Sequence, residues 1–418
     1  MKIKDKVKEI MRKDGKITFV PYVDSAGNEL WEEDIVFESA SKRGRQQVEM
    51  WSSEEEEPVE GVRIYDKDIR WCSDAEGTFP VVVKTKTREV LSQKISAKTG
   101  EKLPMHAGCA KQISVKMFGA PNCGKTTYIH QLNDPALHNE IARGTSCFMS
   151  VDDPYDSFKR QEYEKSLEKF QNKILPDPTL FGEEMKTHYY YIVGPTDDAI
   201  LTLGDASGEE CLRLNWDSKI LNHNHLIYMI EPKDLQSGKC EKLAEQVLPK
   251  LNVVKEDKNY KVLIVITKSD LLDKDNELLK EAFENSISYA GGKLTQITHA
   301  KGFDYKAFNR RSNAIRSYIA DTCPNFYNKL IKTVPEGNLS FAMIASIGEE
   351  CHGNTFENYC PFCIDEPILK ILTEEGLYPI AEEDVEHVTN PIPGFIPDAW
   401  IQKFKEVILF DEEEDEED

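Results

Sequence analysis

No window of the chain approaches the roughly 18 consecutive apolar residues of a membrane-spanning helix, and positive charge runs short, with 52 lysines and arginines against 74 aspartates and glutamates. The first shortage argues against a helical membrane span. The second, a net charge of -22, argues against a general basic surface for nucleic acid or anionic membrane and leaves only a local basic site open. The opening MKIKDKVKEIMRKDGK lacks the apolar core of a signal peptide, so a soluble, cytoplasmic protein is expected. Nor is cysteine concentrated: ten are spread over 418 residues, which favours reduced thiols or metal ligation over a disulfide framework.

The 40% of apolar residues can fill a core, and the length suits two or three domains. Residues 1–110 carry short strand-like runs (ITFVPYV, DIVFESA, FPVVVKTKT) between polar turns and read as a small β-rich module. From Ile113, apolar strands alternate with longer helical stretches, the pattern of an α/β fold whose mostly parallel sheet is flanked by helices, expected over 111–350. The strand candidates are 113–118, 189–193, 199–203, 225–230, 261–266 and 339–345. The second and third are separated only by GPTDD and should form an antiparallel hairpin. A C-terminal extension, 351–410, holds a helix candidate at EPILKILTEEG, and DEEEDEED at 411–418 has nothing to bury and reads as a solvated, disordered tail.

Between the first strand candidate and the helical TTYIHQL lies GAPNCGKT, in which Gly119, four residues, Gly124, Lys125 and Thr126 match G-x-x-x-x-G-K-[ST]. Such a loop must turn its backbone N–H groups inward around phosphate oxygens, which glycine permits by tolerating positive φ. Lys125 adds a mobile cation for the outer phosphates and Thr126 a hydroxyl for magnesium; Asn122, Cys123 and Thr127 complete the cradle. The positive N-terminus of the following helix would face the bound charge.

Other strand ends carry further motifs. AILTL ends in GDASGEE, which sets Asp205 and Gly208 at D-x-x-G spacing. That carboxylate can hold magnesium through water, and the glycine can offer its bare N–H to a γ-phosphate. KVLIVI ends in TKSD, so Thr267, Lys268 and Asp270 follow directly on a strand. A carboxylate at Asp270 can accept from both the ring N–H and the exocyclic amine of guanine, whereas adenine presents an acceptor and no amine at those places. FAMIASIGEE brings Ala345 and Ser346 to another strand end, where backbone amides could reach the guanine oxygen. GTP or GDP with Mg2+ is the expected ligand.

G-x-x-x-x-G-K-T, D-x-x-G, T-K-x-D and A-S, each at a strand end and in that order, resemble the G1, G3, G4 and G5 motifs of the translation-factor-related (TRAFAC) class of GTPases over residues 111 to about 350. The resemblance implies a Ras-like P-loop GTPase fold. RSNAIRSYIADTCPNFYNKLI followed by LSFAMIASIG, together with DASGE and the preceding short module, is similar to the bacterial double-GTPase type of GTPase-centred conflict systems, where a zinc-ribbon-like segment often precedes the GTPase domain. That would imply a role in bacterial defence. The class also needs a switch I threonine over magnesium and the γ-phosphate. Thr145 and Thr179 compete, and Thr179, ahead of the YYYIV strand, is favoured.

One departure concerns Glu209, after Gly208, where fast GTPases place a glutamine or histidine that positions water. A carboxylate can orient water but adds negative charge beside a triphosphate, so slow hydrolysis is expected, with Lys125, Glu209 and Thr179 as the catalytic set. No arginine finger can be assigned; Arg143 and Arg213 are candidates by proximity alone.

Cys351, His352, Cys360 and Cys363 could supply zinc ligands, but adjacent Cys and His side chains rarely point the same way, and ordinary thiols are the better reading. The sequence thus points to a slow GTPase that signals to a protein partner. A non-hydrolysing guanine-nucleotide sensor is the alternative, and a P-loop ATPase or kinase fits TKSD least well.

Overall fold

The computed structural model describes residues 20–24, 27–31, 34–39, 62–63, 69–73, 80–84, 90–104, 106–108, 110–133, 148–151, 165, 168–170, 172–176, 186–195, 198–205, 225–242, 244–245, 248, 260–273, 275–284, 289–290, 293–294, 302–348, 351–357 and 361–381. In the N-terminal part, β1 (Tyr22–Val23) pairs antiparallel with β2 (Glu29–Leu30). A separate antiparallel sheet holds β3 (Ile35–Ser39), β4 (Val62–Arg63), β5 (Ile69–Ser73), β6 (Pro80–Lys84), β7 (Val90–Ser96) and β8 (Lys102–Leu103). The Gln112 amide fastens β1 onto the rest of the chain by taking both backbone partners of Val23, at 2.8 and 3.0 Å.

The main sheet is assembled from β9 (Lys111–Gly119), β10 (Phe148–Val151), β11 (Lys186–Val193), β12 (Asp198–Asp205), β13 (His225–Ile230), β14 (Lys261–Ile266) and, after the small hairpin β15 (Tyr289–Ala290) and β16 (Lys293–Leu294), β17 (Leu339–Met343). Its order is β10-β11-β12-β9-β13-β14-β17. The five strands from β12 to β17 are mutually parallel, while β11 folds back on β12 as the expected hairpin and β10 lies antiparallel on the edge. β13 is buried along its whole length and β14 from Val262 onward. Strands covered on both faces need continuous apolar runs, which is why HLIYMI and KVLIVI do not alternate.

Six helices fill the two faces among the described residues: α1 (Lys125–Leu132), α2 (Pro232–Ser237), α3 (Lys280–Glu284), α4 (Tyr305–Thr322), α5 (Pro324–Thr333) and α6 (Glu366–Glu374). Tyr128, Ile129 and Leu132 of α1 share one core with Ile368, Leu369 and Leu372 of α6. Ile315 and Ile319 of α4 and Phe326 and Leu330 of α5 share the other with β13 and β14. Asp304 starts α4 by accepting the Ala307 N–H at 2.8 Å, and Pro324 opens α5, where its missing N–H costs nothing. Every residue of α6 from Glu366 to Thr373 is buried, so 361–381 belong to the main core. Each fully buried Ile or Leu there contributes about 1.5–3 kcal/mol.

The expected strand at 339–345 ends at Met343, because Ala345 leaves the ladder to pair with Phe362. β10 was not anticipated. The tail at 411–418 and most of the charged stretch 152–175 lie outside the described residues, of which no helix is long and apolar enough to cross a membrane.

Candidate functional site at the carboxyl ends of the parallel strands

β9 delivers the chain into the GAPNCGKT loop between β12 and β13. Gly119 has to be a glycine: a Cβ there would stand 2.4 Å from the Met229 carbonyl oxygen and 2.7 Å from the Cys123 sulfur. Asn122 (φ 65°) and Gly124 (φ 94°) take left-handed conformations, which turn the loop back before the first turn of α1. α1 has no side-chain cap and no acid in its first turn. Its leading N–H groups and positive end therefore face the loop without a carboxylate of their own helix.

Lys125 is 6% exposed and folds over the loop, its Nζ donating to the carbonyl oxygens of Gly119 (3.1 Å) and Ala120 (3.2 Å) and lying 3.7 Å from the Cys123 sulfur. An ammonium held on carbonyl oxygens at a helix start can transfer to phosphate oxygens, which are the stronger acceptors. Thr126 and Thr127 follow, both partly exposed.

The TKSD segment is tied to this loop although it is 144 residues away along the chain. Thr267 Oγ1 donates to the Cys123 carbonyl at 2.6 Å, and the Thr267 N–H extends the ladder to Ile230 at 2.9 Å. Lys268 sits in the left-handed region (φ 50°) with its Nζ 2.5 Å from Glu231 Oε2. The Ser269 N–H donates to Ile344 O at 3.1 Å, anchoring the 3-10 turn Ser269–Leu271 that carries a partly exposed Asp270. Beyond β17, Ala345 exchanges two hydrogen bonds with Phe362, 3.0 and 2.8 Å, while Gln131 of α1 donates to the Ser346 carbonyl. The Ala345 N–H is thus directed at Phe362 and away from any ligand, which leaves the Ser346 amide as the candidate base contact.

Asp205 ends β12 and pairs in register with Met117 of β9, two residues before Gly119. Thr145, Thr179, Gly208, Glu209, Arg143 and Arg213 lie outside the described residues. Among the described residues there is no group of three or more His, Cys, Asp and Glu that could hold a metal ion. Of the zinc candidates, His352 is exposed, Cys351 is half-buried, Cys363 is buried, and Cys360 lies outside the described residues.

Glu231 was missed from the sequence although it follows directly on HLIYMI, the same strand-end position that marks the other motifs. Burial, and next the neighbouring Glu231 charge, push the carboxyl of nearby Asp234 up. Phe362 and Gln131 carry no local signal, since both reach the site through long-range pairing.

No family model matches the chain, and no curated protein matches it. Among solved structures, the crystal structure of bacterial selenocysteine-specific elongation factor EF-Sec is similar at 16% identity and a TM-score of 0.28, over 63% of this chain. The chain spans 29% of the length of that factor.

Proposed function

We propose that the carboxyl end of the sheet binds a guanine nucleotide with magnesium, and that the chain hydrolyses GTP slowly and uses its nucleotide state to signal to a protein partner. The observation that carries this reading is the Thr267–Cys123 hydrogen bond, which brings the TKSD segment onto the GAPNCGKT loop. Phosphate and base contacts would then fall on one ligand. The Lys125 ammonium and the α1 amides would take the phosphates, Thr126 would ligate magnesium and Asp205 would hold it through water. Asp270 would accept from the guanine edge and Ser346 would donate to the guanine oxygen. A switch I role for Thr179 and a water-positioning role for Glu209 complete the proposal, the carboxylate being the reason for slow turnover. The similarity to double GTPases of conflict systems extends the proposal to a role in bacterial defence.

Competition against a fluorescent guanine nucleotide tests the assignment: GTP and GDP should displace it at least ~100-fold more effectively than ATP. Equal displacement by ATP sinks the guanine reading. Asp270→Asn should weaken GTP and favour xanthosine nucleotide, since one acceptor becomes a donor. Single-turnover hydrolysis separates the GTPase from a guanine-nucleotide sensor that holds its ligand unchanged.

A further inference from the structure

We propose that Cys240 and Cys323 are a reversible disulfide site, closed by hydrogen peroxide and reopened by thiol reductants, that ties the helical turn 239–242 to the corner between α4 and α5. The two cysteines are 83 positions apart in the chain, yet their sulfurs stand 3.5 Å from each other. Cys240 lies two residues beyond the left-handed Gly238 (φ 68°) that ends α2, and Cys323 is the single residue between Thr322 of α4 and Pro324 of α5. Each is held by its surroundings. The Cys323 N–H closes α4 on Ile319 O at 2.9 Å, and its carbonyl accepts the Tyr327 N–H of α5 at 3.1 Å. Tyr228 of β13 touches both sides: its hydroxyl donates to the Cys240 carbonyl at 3.0 Å, and its ring meets that of Phe326 edge-on at 5.7 Å. The Lys329–Glu245 ion pair joins α5 to the chain just after the helical turn. With the backbones placed in this way, closing 3.5 Å to the roughly 2.05 Å of a disulfide needs about 1.5 Å of side-chain movement.

The groups around the pair divide the roles. The Cys240 S–H is directed at the Cys323 sulfur, and the Cys323 S–H donates to Glu241 Oε1 at 3.5 Å. Burial pushes both thiols up; the contact between them raises Cys240 further and favours the thiolate at Cys323. Cys323 also stands at the N-terminus of α5, whose positive end favours a thiolate. Cys323 is therefore the sulfur that reacts first. It is buried, but Asp321, Pro324 and Asn325 beside it are exposed and Glu241 is half-buried, so a small oxidant has the shortest path to it. Glu241 takes the proton as the Cys323 sulfur attacks the peroxide; the O–O bond breaks, a sulfenic acid forms, and the departing hydroxide leaves as water with the proton returned by Glu241. The Cys240 sulfur then forms the S–S bond, its own proton and the sulfenic hydroxyl leaving as a second water. Two thiols have lost two hydrogens and two electrons in all, and the peroxide has taken up both. A thiol reductant reverses the cross-link through a mixed disulfide.

The step needs no nucleotide, so it stands or falls apart from the guanine reading. Hydrogen peroxide added to the full chain, then unfolding, alkylation of the remaining thiols, digestion and mass spectrometry test it. The peptides carrying Cys240 and Cys323 should appear joined, two hydrogens lighter than their sum, and dithiothreitol should part them again. A Cys323 sulfinic acid with Cys240 still alkylated overturns the proposal, and so does a pair that stays reduced while the half-buried Cys351 is oxidised. In Cys240→Ser the sulfenic acid on Cys323 has no thiol to meet and should be trapped by dimedone. Trapping on Cys240 in Cys323→Ser, with none on Cys323 in Cys240→Ser, overturns the order of attack. Glu241→Gln should slow the joining by about tenfold, and an unchanged rate removes Glu241 as the proton acceptor. If the serine variants do not fold, the wild-type peptides decide.

Discussion

At their amino ends β9, β13 and β14 begin with Lys111, His225 and Lys261, all drawn to the carboxylates that end α6, whereas at their carboxyl ends the same strands hand over to Gly119, Glu231 and Thr267 and to loops of backbone donors and acceptors. Lys111 Nζ stands 2.5 Å from Glu375, His225 Nε2 2.8 Å from the same carboxylate, and Lys261 Nζ 3.8 Å from Glu374, which Lys370 also contacts. Two acids at a helix C-terminus oppose its dipole, so the Lys111 and Lys261 ammonium groups and the His225 hydrogen bond at the strand starts are what make them tolerable there. The amino end closes the fold with paired charge. The carboxyl end keeps left-handed loop positions and a helix start without a side-chain cap, at the edge of the sheet where ligand sites of open α/β folds lie. α6 spans both: Glu366 is at the site end and Glu374 at the latch end.

The largest effect on this contrast is expected from Glu366→Gln, which leaves the buried Arg311 without its carboxylate. Breaking one side of such a pair costs about 3–5 kcal/mol, visible as a lower denaturation midpoint at unchanged slope. A double variant, Arg311→Met with Glu366→Leu, should recover much of that loss. If Glu366→Gln is neutral, α6 is not the strut that joins the two ends.

Next comes Lys125→Ala at the carboxyl end, expected to weaken both GDP and GTP by ~100-fold or more, about 3 kcal/mol, with the melting temperature of the unliganded protein little changed. Thr126→Ala should instead abolish the magnesium dependence of binding. Calorimetric titration with and without magnesium reads both.

Much of this end was legible in the sequence because each of its parts is local: an apolar strand, then G-x-x-x-x-G-K-T or T-K-x-D, then a turn or helix. The amino end was not. Lys111, His225, Lys261, Glu374 and Glu375 each look like ordinary surface residues, and they converge only through the strand order β9-β13-β14 and the path of α6 across it. β10 was missed because four residues at a sheet edge owe their state to the β11 partner rather than to their own pattern. Ala345 was misjudged as a ligand donor for the same reason, its partner Phe362 lying beyond the reach of any local motif.

The amino-end latch should reveal itself by pH. Burial pushes the Glu375 carboxyl up, but the hydrogen bond and charge of His225, then Lys111, outweigh burial and hold it at about 2, below its ordinary 4.5. A carboxylate depressed in the fold stabilises above its ordinary value and loses that contribution as pH falls from 4.5 towards 2, a loss on the order of 2–3 kcal/mol. Lys261 gives a slope of the same sign in a second, alkaline window. Burial lowers it to about 8 from 10.5, so the unfolded chain binds more protons between those values and stability should rise with pH across that window. Denaturation midpoints from pH 2 to 5 should fall less steeply in Glu375→Gln; identical slopes would mean the latch is not a source of acid sensitivity.

The smallest effect expected is at the ion pair that belongs to the carboxyl end. Glu231 holds Lys268 at 2.5 Å, but the lysine side chain is 39% exposed, so solvent screens the attraction and the pair contributes only about 0.2–1 kcal/mol. What Glu231 adds is direction. Lys268 is left-handed at φ 50°, and the carboxylate fixes its stem beside the segment that carries Asp270, where a guanine ring would lie against it. Glu231→Gln keeps a hydrogen-bond acceptor and removes the charge, so GDP affinity should drop ~2–5-fold at low ionic strength, and the difference from wild type should shrink as salt is raised. A buried pair of the Arg311–Glu366 kind would keep its effect in salt, because water and counter-ions do not reach it. If the Glu231→Gln defect is instead large and insensitive to salt, the strand-end carboxylate is part of the binding contact itself, and the distinction between a charge-paired amino end and a backbone-built carboxyl end no longer holds.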